Sequence, residues 1–547
     1  MRLPPLKSPL TIAWLASLWI GLLCNWPLWQ KLASLPELDN ARGHLFIGVF
    51  CAFVVALQGG LLSLFAWRAT IKPVLTVVLL AAAALAYFIG SYGIVMDPTM
   101  VINTLQTDAR ETRDLLNLRL AASLLVLAGV PLLVIWRLKL TQTLWPRRLG
   151  WNLIGFVGGI VVSALLILAT FADFAATMRS YPTMRYMITP VNAFYSLAAV
   201  AARSGAKPKG PPQVIGADAK LAPRPAGTKP PLLLLVVGET ARAANFSLDG
   251  YSRPTTPELA KLSVLNFSKV MSCGTSTAAS LPCMFSPLGR EEFVKQKNDQ
   301  ETLMDVLQRA GLAVLWVDNQ SGCKGICDRV PNSSTAKLPE GAPALPAGLC
   351  DGEECMDMSL LHGLDERLAA LDPERVKRGV VLVLHQMGSH GPAYYKRSPP
   401  DRKPFMPECT TNALQQCPHE QLVNGYDNSI AYTDHVLASA IGWLQVREKD
   451  FATRMYYVSD HGESLGENNL YLHGVPYAVA PEEQKHVPMV LWLGQDLAPV
   501  AECLKGKLGQ PASHDNLFHT VLGFMGVQTA LYKPEQDLLA SCRPAKH

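Results

Sequence analysis

Five long apolar runs precede residue 175, and none of comparable length follows. They fall at roughly 10–29, 45–67, 73–96, 118–136 and 152–174. Each is near the ~20 residues a helix needs to cross a bilayer core. As buried helices of a soluble domain, five such runs with almost no charge inside would be hard to keep in water. The first run is too long for a removable signal peptide and lacks a small-residue cleavage pattern, so it reads as an uncleaved first span. The chain as a whole is 49% hydrophobic and 17% charged, a balance that suits part membrane and part soluble protein.

Loop charges orient the spans, because basic residues stay on the cytoplasmic side. Arg2 and Lys7 precede the first span, Arg68 and Lys72 follow the second, and Arg137, Lys139, Arg147 and Arg148 follow the fourth. The alternate loops hold Glu37, Asp39, Asp97, Asp108, Glu111 and Asp114, which offset their basic residues. Five spans that start inside leave everything after residue 175 outside. Cysteine usage agrees. Of 12 cysteines, Cys24 and Cys51 lie in spans, and the rest are Cys273, Cys283, Cys323, Cys327, Cys350, Cys355, Cys409, Cys417, Cys503 and Cys542. An even number in an exported domain reads as disulfides. Four close sequence pairs leave Cys503 with Cys542, although spacing alone does not prove the connectivity. A cysteine metal site is the competing reading, and short pairs without CxxC spacing argue against it.

The expected organisation is a membrane domain over 1–175, a bridging helix and linker over 176–230, and an exported domain over 231–547. Residues 203–230 are rich in Pro, Gly, Ala and Lys, and carry Arg203, Lys207, Lys209, Lys220, Arg224 and Lys229 against Asp218. That composition suits a solvated tether or a segment lying along anionic lipid. From Pro231 the pattern changes to short apolar runs: Pro231–Val237, Leu312–Val317, Val380–Leu384, Arg454–Val458 and Met489–Leu493. Helix-like stretches such as Glu301–Ala310 and Asp427–Leu444 lie between them. Alternation of this kind predicts an α/β domain with a mostly parallel sheet flanked by helices. Sites on such sheets lie beyond the carboxyl ends of the strands.

Those strand ends are polar here. The first leads into Glu239-Thr240-Ala241-Arg242, another into Ser459-Asp460-His461-Gly462-Glu463, and a third into His385 and then Ser389-His390-Gly391-Pro392. A lone strand-end Asp is usually a helix cap; several convergent carboxylates and imidazoles point to a site. Ligands of that type without cysteine suit a catalytic zinc. The stretch Cys273-Gly274-Thr275-Ser276-Thr277, closed by Cys283, reads as a stapled loop or helix start. Its hydroxyls could be caps, but a helix N-terminus also suits phosphate. Threonine becomes a nucleophile only when a base or a metal removes its proton.

This ordered set of motifs, with Gln386-Met387-Gly388-Ser389-His390-Gly391-Pro392, Ser464-Leu465-Gly466 and Tyr471-Leu472-His473-Gly474, resembles the lipid A phosphoethanolamine transferases, the family that includes the transferable polymyxin-resistance enzymes. The resemblance spans the whole chain. It implies five transmembrane helices in the bacterial inner membrane and a periplasmic domain of alkaline phosphatase/sulfatase-like fold. It implies Zn2+ held by Glu239, Thr277, Asp460 and His461, with Thr277 as nucleophile. His390 and His473 match phosphate or second-zinc ligands, and Lys324 matches a phosphate-contacting lysine. Phosphatidylethanolamine would be the donor, lipid A the acceptor, and a phosphothreonine-type species the intermediate. The partners implied are lipids and the bilayer, not nucleic acid, and the chain would act as a monomer. In the loop after the third span, Asp97-Pro98 resembles a helix start, and Asn103, Thr107 and Glu111 recur every four residues, which predicts one helix face. The family uses these positions to receive the donor head group. Two departures stand out: Gln320 where the family commonly has Asn, which unsettles its role as a substrate contact, and Ala279 where an aromatic residue is common.

Rival readings are transfer of phosphoethanolamine to core sugars, or of phosphoglycerol to a periplasmic glycan. The Cys/Ser-x-Pro-x-Arg pattern of sulfatases is missing around Thr277. A transporter would carry ionisable residues inside its spans, and these spans are nearly free of them.

Overall fold

The computed structural model describes residues 7–107, 109–206, 210–352 and 354–543. Arg2, Asp108, Lys207 and Lys209 lie outside the described residues. The chain forms two compact units: Met1–Val101 with Leu116–Arg203, and Ile102–Leu115 with Ser204–His547.

In the first unit, helices Ala41–Ser63, Ile71–Tyr92, Leu118–Arg137 and Trp145–Ala169 are each long and apolar enough to span a bilayer. The first apolar run forms Pro9–Cys24 and Trp26–Ala33, bent by 47°. The bend follows a π turn at Ile20–Cys24 and coincides with Pro27 at the start of the second piece. Asn25 sits in the break and satisfies itself there: its amide donates to the carbonyls of Ile20 and Thr189, and its carbonyl accepts from Thr189 N–H. Ala41–Ser63 and Trp145–Ala169 meet through glycines. A Cβ on Gly159 would lie 2.6 Å from the Cα of Gly60, so only small residues allow this approach.

The loop after the third span departs from the predicted single face. Asp97 does cap a helix, accepting from Met100 N–H at 2.8 Å, but that helix is Pro98–Gln106 and a second one is Ala109–Leu115. Thr107 falls in the break, with its hydroxyl donating to the Asn103 carbonyl at 2.9 Å. The four-residue repeat is therefore divided between two helices.

The second unit is built on a seven-stranded sheet. In chain order its strands are β1 (Pro231–Gly238), β2 (Leu265–Phe267), β3 (Ala313–Asp318), β4 (Asn332–Ser334), β5 (Val380–His385), β6 (Ala452–Ser459) and β7 (Met489–Leu493). The spatial order is β2-β7-β6-β1-β5-β3-β4. The run from β6 to β4 is parallel throughout, and β7 is antiparallel to both its neighbours. Leu232 to Val237 are each no more than 1% exposed. Burial on both faces explains why β1 reads as an unbroken apolar run.

The helix Leu303–Arg309 opens with a capping box between Thr302 and Asp305. The long helix His419–Val446 begins earlier than its apolar pattern suggests, because its first turns bury Asn424, Asp427 and Asn428 instead.

The tether reading of 203–230 is corrected over its described second half. Ile215 is buried in the hydrophobic core of the second unit, Lys220–Leu221 pairs with Val527–Gln528, and Arg224 donates to the carbonyls of Lys377 and Arg378. The segment therefore belongs to the second unit, and its basic side chains are spent partly on backbone carbonyls. Disulfides join Cys273–Cys283, Cys323–Cys327, Cys350–Cys355, Cys409–Cys417 and Cys503–Cys542; Cys24 and Cys51 are free.

Candidate active site

Parallel pairing places Ser459 of β6 beside Gly238 of β1, so Glu239 and Asp460 leave adjacent strand ends together. Asp460 N–H donates to the Gly238 carbonyl at 2.9 Å and locks that alignment. Thr240 continues the chain at φ 58°, unusual for a β-branched residue. It is held there by Tyr426, whose hydroxyl donates to the Thr240 carbonyl at 2.7 Å and accepts from Arg242 N–H at 3.0 Å. Gly388, at φ 52°, lets a third loop close on this turn, since a Cβ there would lie 2.5 Å from the Glu239 carbonyl oxygen.

Thr277 opens the helix Thr277–Met284. Its Oγ1 lies 3.0 and 3.2 Å from the two Glu239 carboxylate oxygens and 3.4 Å from His461 Nε2. His461 Nε2 is in turn 3.3 Å from Glu239 Oε1 and 3.5 Å from Asp460 Oδ2. The carboxylates and the imidazole are fully buried. His461 Nδ1 donates to the Gly462 carbonyl at 2.9 Å, which turns Nε2 toward the cluster. The helix is seated by Ser280, whose hydroxyl donates to the Asp460 carbonyl, and by His514, which accepts from Cys273 N–H at 3.0 Å and donates to the Ser459 carbonyl at 2.8 Å.

The electrostatics suit a cation. Burial, reinforced by the Glu239 charge, pushes the Asp460 carboxyl up to about 7. Burial also works against a charged Glu239, but its hydrogen bond and charge interaction with His461 win and hold it well below the usual range. For His461, burial is outweighed by Asp460 and Glu239, which lift it to about 10. Asp460 Oδ2 is buried without a hydrogen-bond partner among the described residues. Ligand atoms of Glu239, Asp460 and His461 all lie within 4.8 Å of one another. Two carboxylates, one imidazole nitrogen and a hydroxyl, all buried, fit a zinc ion. The other cluster of ligating side chains, Cys323, Cys327 and Asp328, is accounted for by the disulfide.

Beside this centre, the His461 and His473 rings are 4.4 Å apart and the His390 and His473 rings 5.6 Å. Among the described residues, His390 Nδ1 is buried with no hydrogen-bond partner. His473 Nδ1 bonds Glu463 Oε2 at 2.8 Å, and Tyr394 donates to the other oxygen of Glu463. Burial pushes the Glu463 carboxyl up to about 8 and the His473 imidazole down to about 3. The sequence reading assigned no role to Glu463, although it stands in the Asp460-His461-Gly462-Glu463 motif; alternation after a strand end was the available signal. Asp357 was also missed. It fixes the loop before His390 by accepting from Met387 N–H, Gly388 N–H and the Asn319 amide, each at 2.8 Å.

Of the candidate substrate residues, Gln320 reaches the centre itself, donating to Glu239 Oε2 at 2.9 Å. Lys324, at φ 49° between the bridged Cys323 and Cys327, turns its ammonium to Ser321 Oγ at 2.8 Å and to the Gln106 carbonyl at 3.3 Å. The Glu111 charge raises the proton affinity of both His390 and His473, though burial dominates each. The Thr107 hydroxyl donates to the Asn103 carbonyl.

Comparison with known proteins places both halves of the chain. Residues 54–204 match the family described as phosphoethanolamine transferase EptA/EptB, and residues 231–527 match the sulfatase family. The chain is 40% identical to phosphoethanolamine transferase EptA of Escherichia coli (strain K12), over 97% of each chain. It is 38% identical to phosphatidylethanolamine transferase Mcr-1 from Escherichia coli, over 89% of this chain and 90% of that one. The structure of the integral membrane lipooligosaccharide phosphoethanolamine transferase A from Neisseria meningitidis superposes with a TM-score of 0.90 at 34% identity, covering 97% of this chain and 98% of that chain.

Proposed function

We propose a mechanism from the premise that this chain belongs to the phosphoethanolamine transferase EptA/EptB family, set in the bacterial inner membrane with its catalytic unit in the periplasm. In this reading it transfers phosphoethanolamine from phosphatidylethanolamine to a phosphate of lipid A. The observation that carries it is the placement of Thr277 Oγ1 at 3.0 Å from Glu239 and 3.4 Å from His461, on the first residue of a helix.

Thr277 Oγ1 attacks the donor phosphorus, the bond from phosphorus to the diacylglycerol oxygen breaks, and the hydroxyl proton leaves with the diacylglycerol. A lipid A phosphate, as its monoanion, then attacks the same phosphorus through one oxygen, the bond to Thr277 breaks, and the proton of the acceptor's P–OH passes to Thr277 Oγ1, which restores the hydroxyl. Glu239, Asp460, His461 and Thr277 would hold zinc, which when bound lowers the proton affinity of the threonine oxygen. Free N–H groups at the start of Thr277–Met284 favour the phosphoryl oxygens; His390 and His473 line the same site, and Lys324 would bring a positive charge to it. Glu463 and Tyr394 hold His473 in place. The added ammonium lowers the net negative charge of the surface, which weakens attraction of cationic polymyxins.

Mass spectrometry of lipid A from cells expressing the chain tests this reading. The expected result is a gain of one phosphoethanolamine mass, lost in Thr277→Ala at equal expression, with raised polymyxin tolerance. Unchanged lipid A with modified core sugar or glycan would select the rival acceptors. Full transfer by Thr277→Ala would remove the nucleophile assignment.

A further inference from the structure

We propose that Asp114 is a positioning residue, which with Lys396 and Arg397 ties the short helix carrying Glu111 to the loop carrying His390. All of these residues belong to the second unit. Asp114 is only 4% exposed, which a carboxylate does not tolerate unless paired. It is paired twice: Oδ1 lies 2.5 Å from Lys396 Nζ and Oδ2 lies 3.1 Å from Arg397 Nη2. Its main chain is held as well, since the Asn412 amide donates to the Asp114 carbonyl at 2.5 Å.

Arg397 gives the tie its consequence. While Nη2 binds Asp114, Nε donates to the His390 carbonyl at 2.8 Å. One buried guanidinium therefore spans the segment Ala109–Leu115 and the loop that ends in His390. A planar guanidinium fixes the relative position of two acceptors more firmly than a lysine could. A further contact holds the same stretch of chain: Lys324 Nζ reaches the Gln106 carbonyl. Asp114 is one turn beyond Glu111 in the helix Ala109–Leu115, so securing Asp114 sets where Glu111 can stand.

The proposal rests on the reading that this site receives a lipid head group, but its structural half can be measured without turnover. Full-length enzyme in phosphatidylethanolamine-containing nanodiscs would be compared as parent, Asp114→Asn, Asp114→Glu, Lys396→Gln and Arg397→Gln. Hydrogen exchange over residues 102–115 is expected to quicken at least tenfold in Asp114→Asn, and KM for the lipid donor to rise tenfold or more while kcat changes less. Asp114→Glu should recover most of both. Asp114→Asn combined with Arg397→Gln should fall short of the sum of the two single changes, because the Asp114–Arg397 contact is lost in either one. Unchanged exchange in Asp114→Asn, or fully additive effects in the double variant, would overturn the tie. Lys396→Gln carries the same exchange test if Asp114→Asn fails to accumulate. A parent that moves no phosphoethanolamine would count against the proposed reaction and leave the exchange result to decide the tie.

Discussion

Gln320 and Glu239, on different strand-end loops, share a hydrogen bond of 2.9 Å from the glutamine amide to carboxylate oxygen Oε2. Gln320 is 4% exposed, and its side-chain oxygen accepts from Ser321 N–H, so both ends of the amide are held. A group that orients a metal-ligating carboxylate typically carries 10–100-fold in metal affinity. Gln320→Leu is therefore expected to weaken zinc binding about tenfold or more, read by competition with a chromogenic chelator. Gln320→Asn, one methylene shorter, should weaken it too. Parent-like affinity in both would show that the amide does not set the carboxylate.

Tyr426 braces the strained Thr240 turn through two hydrogen bonds. Tyr426→Phe leaves the Thr240 carbonyl and the Arg242 N–H without that partner in a buried place, at a cost of about 1–3 kcal/mol for each group left unsatisfied. Chemical denaturation of the catalytic unit in the full chain should register the loss. A change under about 0.5 kcal/mol, the scale of an ordinary surface substitution, would mean the turn needs no brace.

The disulfides should differ in worth because they close different loops. Cys503–Cys542 has a sequence separation of 39 and Cys323–Cys327 one of 4. Chain-entropy bookkeeping gives about 4 kcal/mol for the first and about 2 kcal/mol for the second. Paired serine substitutions should lower the melting temperature in that order. The reverse order would indicate that the short bridge acts on the folded state, through Lys324.

His519 is 2% exposed and its imidazole is pushed down to about 4 by burial, with Lys533 adding to the effect. Its folded proton affinity is thus below its unfolded one, near 6.5. The unfolded chain binds the extra proton between those values, so this group's contribution to stability is complete above about 6.5 and is lost as pH falls towards 4. His519→Asn should flatten the stability profile across that window relative to the parent. Identical slopes in both proteins would sink the assignment.

Much of this site was legible in the order of residues. Glu239 and Asp460 each follow an apolar strand directly, with His461 next after Asp460, and a parallel sheet must deliver such residues to one edge. The apolar runs were equally plain, because a bilayer demands length and composition above all else. Folding alone decided other matters. Asn103, Thr107 and Glu111 fall on one helix, a break and a second helix, which their spacing did not foretell. The chain after residue 210 looked like a tether until Ile215 and Leu221 found apolar partners. The grip of Gln320 on Glu239 and the guanidinium shared by Asp114 and His390 link distant positions. Local sequence encodes strand ends, caps and spans through short-range physics, whereas contacts between distant side chains depend on register and packing that exist only once the sheet has formed.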